Sequence, residues 1–333
     1  MNDFPRAARR LPRRLILHGA AGLAALAAAR PSRAGRYPEQ AVRYINLFPP
    51  GAATDLLSRA YCATMSALAG QQFVVENRSG AGGTVGQAAI AQAPPDGYTV
   101  GLGSIASLGI GPSIYPSLPY DPARDFTYIA GIWQVPNLLF CNPGLPVRSL
   151  PEMVGLVKAN PGKYLYGSGG SGTSPHLTME WLKQIAGLDM AHVPYRGGAP
   201  MLLDLIAGRV HFAFDNLASL LGPVRQGQIR PLAITSRERS PVLPDVPTTN
   251  STYPELEITS WGGLVGPAGI PLPIVERLAD LTHAALKDAD LNRFFREQGA
   301  GPMWLPPEEF AAFQQQQQRL FAGLVRRIGV SAN

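Results

Sequence analysis

The chain has 333 residues, 46% of them hydrophobic and 16% charged, and carries a formal charge of +6. That whole excess lies in residues 1–34, which hold seven Arg and one Asp, so residues 35–333 balance at 22 basic and 22 acidic side chains. Basicity therefore gives no reason to expect a nucleic-acid partner, and roughly 300 residues is more than one small core usually holds, so two lobes are expected.

The N-terminus reads as a signal peptide over residues 1–34. Arg6, Arg9, Arg10, Arg13 and Arg14 form a basic region, an Ala-rich apolar run follows over 15–29, and Ser32 and Ala34 are the small residues of a cleavage site. The run is too short and too weakly apolar for a membrane span. Export to the periplasm is expected, and Arg13-Arg14 before Leu15-Ile16 fits the twin-arginine route as well as the general one. Cys62 and Cys141 lack a lipidation context and are expected as two buried thiols.

From residue 42 onward, strand-like and helix-like runs alternate. Strands are predicted at 42–48, 73–76 and 99–103, with helices over 54–70 and 83–93 between them. This βαβαβ pattern predicts an α/β lobe with a mainly parallel sheet. A second series begins near residue 139. Ser149-Leu-Pro-Glu152 opens a helix through Ala159 as a capping box. Strands at 164–167, 190–193, 210–214 and 229–235 then alternate with helices over 174–186 and 199–207. The run from Trp261 to Pro267 reads as a strand returning to the first lobe, and helices follow at 273–287, 290–298 and 307–327. The five Gln at 314–318 read as a solvated face of the last helix. Lobe 1 is expected over 35–138 plus 262–333, and lobe 2 over 139–261. Two crossings make a hinge beside an interlobe cleft.

Four strand-to-helix junctions are candidates for chemistry. In Phe48-Pro-Pro-Gly-Ala-Ala-Thr-Asp55, the unpaired amides of a helix start suit an anion. Phe48, Pro50, Gly51, Ala52, Ala53 and Asp55 are its candidate contacts, although Asp55 reads equally as a helix cap. The loop at 167–176 offers Gly169, Ser171, Gly172, Thr173 and His176. It matches G-x-G-x-x-G, but the strand after it ends in Val-Pro-Tyr-Arg196 without the acidic residue a ribose needs, so no cofactor is expected. Tyr195, Arg196 and Gly197 form the third junction, where Arg196 is either a fork on a carboxylate or a surface side chain. Asp215, closing the strand at 210–214, fits a ligand hydroxyl or amine, a water, or a helix cap. Ser104, directly after the strand at 99–103, completes the set. No G-x-S-x-G elbow and no metal-binding His or Cys spacing occurs, so no enzyme and no metal are expected.

Taken in order, several motifs resemble the Bug-type receptors, the extracytoplasmic solute-binding proteins of tripartite tricarboxylate transporters. They are Phe48-Pro-Pro-Gly-x-x-x-Asp55, Val75-Glu-Asn-Arg-x-Gly-Ala-Gly-Gly83, Pro95-Asp-Gly-Tyr-Thr99, Ser168-Gly-x-x-Gly-Thr-Ser-x-His-Leu177, Val193-Pro-Tyr-Arg-Gly197 and Val246-Pro-Thr248. The resemblance covers essentially the whole chain after the signal peptide. It implies a type II-like periplasmic-binding-protein fold that closes as a clamp. It further implies a small carboxylate ligand gripped by the loops at 48–55 and 168–176 with ordered water, and membrane permease subunits as partners. A monomer is expected. A ligand sensor docking on a signalling partner is the alternative, and an exported hydrolase using Ser171 and His176 a further one. Ala52 stands where such receptors often carry a second glycine, and its methyl is expected to narrow the pocket.

Overall fold

The computed structural model describes residues 37–331, so the expected signal peptide lies outside the described residues. One continuous sheet of ten strands runs through it, and helices flank the sheet. In its first half β1 (Val42–Asn46) lies between β2 (Phe73–Asn77) and β3 (Thr99–Ser104), parallel to both. The helix α1 (Ala53–Ala69) joins β1 to β2, burying Leu57, Tyr61, Cys62 and Met65 at helical spacing. Between β2 and β3 runs the short helix α2 (Thr84–Ala91).

The expected α/β architecture is present, and parallel pairing is confined to its outer strands. The centre is antiparallel, because two long strands run back across it. β4 (Phe126–Cys141) is buried along almost its whole length, and β9 (Thr259–Pro267) pairs with it from Phe126 to Pro136. From Asn137 to Cys141, β4 instead pairs with β7 (Phe212–Asn216), and over Leu138–Cys141 it also pairs with β8 (Arg230–Ile234). The change of partner falls at Pro136, where a residue without an N–H costs the ladder least. Beyond β7 come β5 (Leu165–Ser168) and β6 (Ala191–Pro194), parallel again.

Helices α3 (Gly111–Ile114), α4 (Leu150–Lys158), α5 (Ser174–Ala186), α6 (Gly198–Ile206) and α7 (Leu217–Arg225) fill the connections. The chain ends through α8 (Leu272–Ala285), α9 (Ala289–Glu297), strand β10 (Gly301–Leu305) on β4, and α10 (Pro307–Ile328). Half of the predicted capping box is formed: Ser149 Oγ accepts the Glu152 amide at 3.3 Å, while the Glu152 carboxylate accepts the Arg148 amide at 2.8 Å in place of that of Ser149. Both cysteines are free and buried, as expected.

The Gln run departs from the sequence reading. Gln314 is buried, and its Nε2 donates to the Leu108 carbonyl at 2.9 Å. Gln317 accepts the indole N–H of Trp261 at 3.2 Å. Part of the run is therefore a packed face, because it crosses a backbone carbonyl and an indole that need buried partners.

Candidate ligand-binding site

A cavity of about 290 Å³ opens where β4 changes partners. Trp133 and Trp261, both buried, supply aromatic surface, and helix starts supply much of the rest. Ala53 and Thr54 open α1, Ser174 opens α5, and Gly198 and Ala199 open α6. Ile105 and Ala106 begin a six-residue π-helical turn (Ile105–Ile110) whose cap is Ser104. Each helix start leaves amide hydrogens without intrahelical partners and carries the positive end of the helix dipole. No Lys, Arg or His lines the cavity, so any positive potential inside it comes from backbone amides.

The loop before α1 is held rigidly. Asp55 is buried, and its carboxylate accepts the Gly51 amide (2.9 Å), the Asn77 amide group (2.7 Å) and the Arg59 guanidinium (3.0 Å). Burial alone would raise its pKa, but these three donors outweigh it and hold the carboxyl below its ordinary value. Asn46 and Asn77 both donate to the Phe48 carbonyl, at 3.0 and 2.9 Å. With the Gly51 amide turned toward Asp55 and the Ala52 amide toward Pro49, the amides left at this helix start are those of Ala53 and Thr54. Thr54 Oγ1 is buried and, among the described residues, has no hydrogen-bond partner; the same holds for Trp133 Nε1. Both residues line the cavity. Ala52 sits in ordinary extended conformation, so its place makes no demand for glycine.

The candidate residues divide by position. Phe48, Pro50, Gly51, Ala52, Ala53, Ser104, Gly169, Thr173, Gly197 and Asp215 line the cavity. Ser171, Tyr195 and Arg196 line a second, outer cavity of about 680 Å³ that shares Phe48, Pro49, Gly169 and Gly197 with the first. Arg196 is exposed there, and the Tyr195 hydroxyl donates to Asp204 at 2.7 Å.

Asp55, Gly172 and His176 line neither cavity. His176 lies behind the glycine loop, where its Nδ1 accepts the Gly172 amide at 3.3 Å. Its ring stacks on His192, which stacks in turn on Tyr166. Burial lowers His176 to about 4 and His192 to about 3, so both are neutral. No bond from Ser171 Oγ to His176 occurs among the described residues, which leaves no dyad there.

Asp215 is the cavity's one charged side chain. Its Oδ1 accepts the Asn216 amide at 2.8 Å, yet burial raises its carboxyl to about 6.

Sequence reasoning left out Trp133, Ser174 and Ser260, took Thr54 only as a possible helix cap, and named Asn216 only as the neighbour of Asp215. Ser174 and Ser260 are joined at 2.5 Å, and Asn216 Nδ2 reaches Asn137 Oδ1 at 2.6 Å and Ser260 Oγ at 2.7 Å. This network ties α5, β7, β4 and β9 together under the cavity. Only the position of Ser174 at a helix start was a usable signal.

Beside the second cavity the segment at Tyr115 touches the glycine loop directly. The Tyr115 hydroxyl donates to the Ser171 carbonyl at 2.9 Å. Gly82, at φ 62°, lies against the same pair, and a Cβ there would come within 2.8 Å of both oxygens. A side chain at this place would push the Tyr115 and Ser171 segments apart.

The fold and site define a binding protein: two sheet halves joined by long strands, with a ligand-sized cavity ringed by helix starts at the joint. Residues 57–330 match the tripartite tricarboxylate transporter family receptor, and the chain belongs to that family. Protein BugT of Bordetella pertussis is 34% identical over 316 residues, covering 94% of this chain and 95% of that protein. Among solved structures, Rpa4515 of R. palustris with adipate is 34% identical with a TM-score of 0.86, covering 89% of this chain and 99% of its own. The periplasmic binding protein BugD is 32% identical with a TM-score of 0.84 over the same shares. MatC from Rhodopseudomonas palustris with bound malate is 29% identical with a TM-score of 0.82, covering 87% of this chain and 100% of its own.

Proposed function

We propose that the exported chain is a periplasmic receptor that captures a small carboxylate in the cleft and presents the closed form to the permease of a tripartite transporter. The observation that carries this reading is the free helix start at Ala53 and Thr54, with the unpartnered Thr54 hydroxyl beside it, facing a cavity without a basic side chain. Such a site holds an anion by backbone amides and excludes large polyanions by size. Adipate and malate, bound by the relatives Rpa4515 and MatC, belong to the same chemical class.

In this reading residues 35–138 and 262–333 form one lobe and 139–261 the other, with β4 and β9 as hinge strands. Binding shifts an open–closed equilibrium, because the ligand touches both walls only when they approach. The binding residues are the cavity-lining candidates, with Thr54 and Ser174 added, and the protein acts as a monomer. His176 orients the glycine loop and performs no chemistry, which sets the receptor against the hydrolase alternative.

Thermal denaturation of the mature protein with succinate, malate, adipate, citrate and benzoate tests this. A ligand at about 100 times its Kd adds about 2.7 kcal/mol, a clear rise in Tm. A neutral sugar raising Tm while every carboxylate fails would overturn the reading.

A further inference from the structure

We infer that the cleft is built for a carboxylate that also carries an ammonium group, with Asp215 as the counter-charge of that ammonium. The inference rests on the carboxylate reading above and narrows it.

Asp215 closes β7 and faces the cavity as its one charged side chain. The two other carboxylates whose pKa burial works hardest to raise, Asp55 and Glu180, have charged partners. Asp55 takes Arg59, Asn77 and the Gly51 amide, and Glu180 takes Lys183 at 2.7 Å and the Tyr166 hydroxyl. Asp215 receives only the Asn216 amide, and no cation among the described residues reaches it. Burial outweighs the Asn216 amide, so the carboxyl is raised to about 6. The local chain makes room for it: a Cβ at Gly198 would stand 2.3 Å from Asp215 Oδ2. The fold thus keeps a negative group in a small cavity and supplies no protein charge to meet it.

Near neutral pH that group is ionised, and an unpaired charge in such surroundings is costly. An incoming ammonium removes the cost. A second ligand carboxylate would meet a like charge instead, so the same residue selects against plain dicarboxylates. The ligand's own carboxylate goes to the amides of Ala53, Thr54 and Ser174, and its ammonium to Asp215.

Calorimetry near neutral pH separates the possibilities, using wild type and Asp215→Asn with matched probes: glutarate against 5-aminopentanoate and L-glutamate, and succinate against L-aspartate. In the wild type the amino members should bind about tenfold more tightly than their plain partners, the scale of one charge-assisted contact. Asp215→Asn should erase that preference and leave the plain dicarboxylates unchanged or tighter. A Tm for unliganded Asp215→Asn no lower than wild type confirms that the variant is folded.

Plain dicarboxylates binding as tightly as their amino partners would overturn the inference and leave the carboxylate reading standing. So would a preference for the amino members that survives in Asp215→Asn, since Asp215 would then not be the counter-charge. Failure of every probe on both proteins would sink both readings together.

Discussion

Asp55 lies outside both cavities and Asp215 lines the first, and their surroundings give them different tasks. Asp55 has three donors and is pulled into its own loop, so its influence on a ligand runs through the position of residues 48–54. We predict that Asp55→Ala destabilises the fold by about 1 kcal/mol, because it removes the acceptor shared by the part-buried Gly51 bond and the exposed Arg59 guanidinium and leaves the Asn77 amide group one bond short. Urea denaturation measures this, and Asp55→Asn, which keeps an acceptor for Gly51, should lose less. Unchanged stability in Asp55→Ala would contradict the loop-holding role. From sequence, Asp55 read as either a ligand contact or a cap, and spacing could not decide. The deciding partners, Arg59 one turn on and Asn77 on the next strand, arrive through the helix and the parallel β1–β2 pair. Thr54 went unread as a ligand contact for a related reason: a hydroxyl matters here because nothing in the fold satisfies it, which is a property of packing.

At the scale of elements, the outer βα units were legible because each is a short periodic run ended by Gly or Pro. β4, the strand that organises the site, was seen only at its end. It is buried on both faces, so it shows no alternation, and Gly131 and Pro136 interrupt it. Both irregularities have causes. A Cβ at Gly131 would stand 2.4 Å from the Met303 carbonyl of β10, and Pro136 marks the change of sheet partner. β10 and α7 were missed as well, each being short and set in a Pro-containing stretch. The Tyr115 hydroxyl follows α3 and meets the glycine loop before α5, so under the proposed two-lobe reading it spans the lobes that β4 and β9 join. We predict that Tyr115→Phe weakens ligand binding about fivefold, the share of one net hydrogen bond of about 1 kcal/mol. It should also enlarge the radius of gyration of the unliganded protein in X-ray scattering. Equal affinity and equal radius would show that the contact is incidental to closure.

For the molecule as a whole, net charge decides little once residues 1–34 are set aside, and the pH response comes from a few buried groups. His176 and His192 stack beneath the glycine loop, with His192 at 2.7 Å from Ser168 Oγ, and burial keeps both neutral in the fold. In the unfolded chain each titrates near 6.5. Between about pH 6.5 and about pH 4 the unfolded state therefore binds more protons, and stability falls as pH drops through that window. Each histidine contributes a slope of up to about 1.4 kcal/mol per pH unit. Asp215 works in the other direction: its folded carboxyl, raised to about 6, takes up a proton first and gains stability as pH falls through 6. The two stacked histidines, together with His211, which burial also lowers, against one aspartate leave a net loss, and the carboxyls held low, such as Asp55, do not contribute until pH approaches their own range. The expected outcome is a Tm that declines from pH 6.5 to pH 4.5, with a shallower decline in His192→Asn and a steeper one in Asp215→Asn. Calorimetric scans at half-unit steps measure all three proteins. A wild-type Tm that holds constant or rises toward pH 5 would mean that the stacked histidines accept protons within the fold, and the glycine loop would then lose its neutral support.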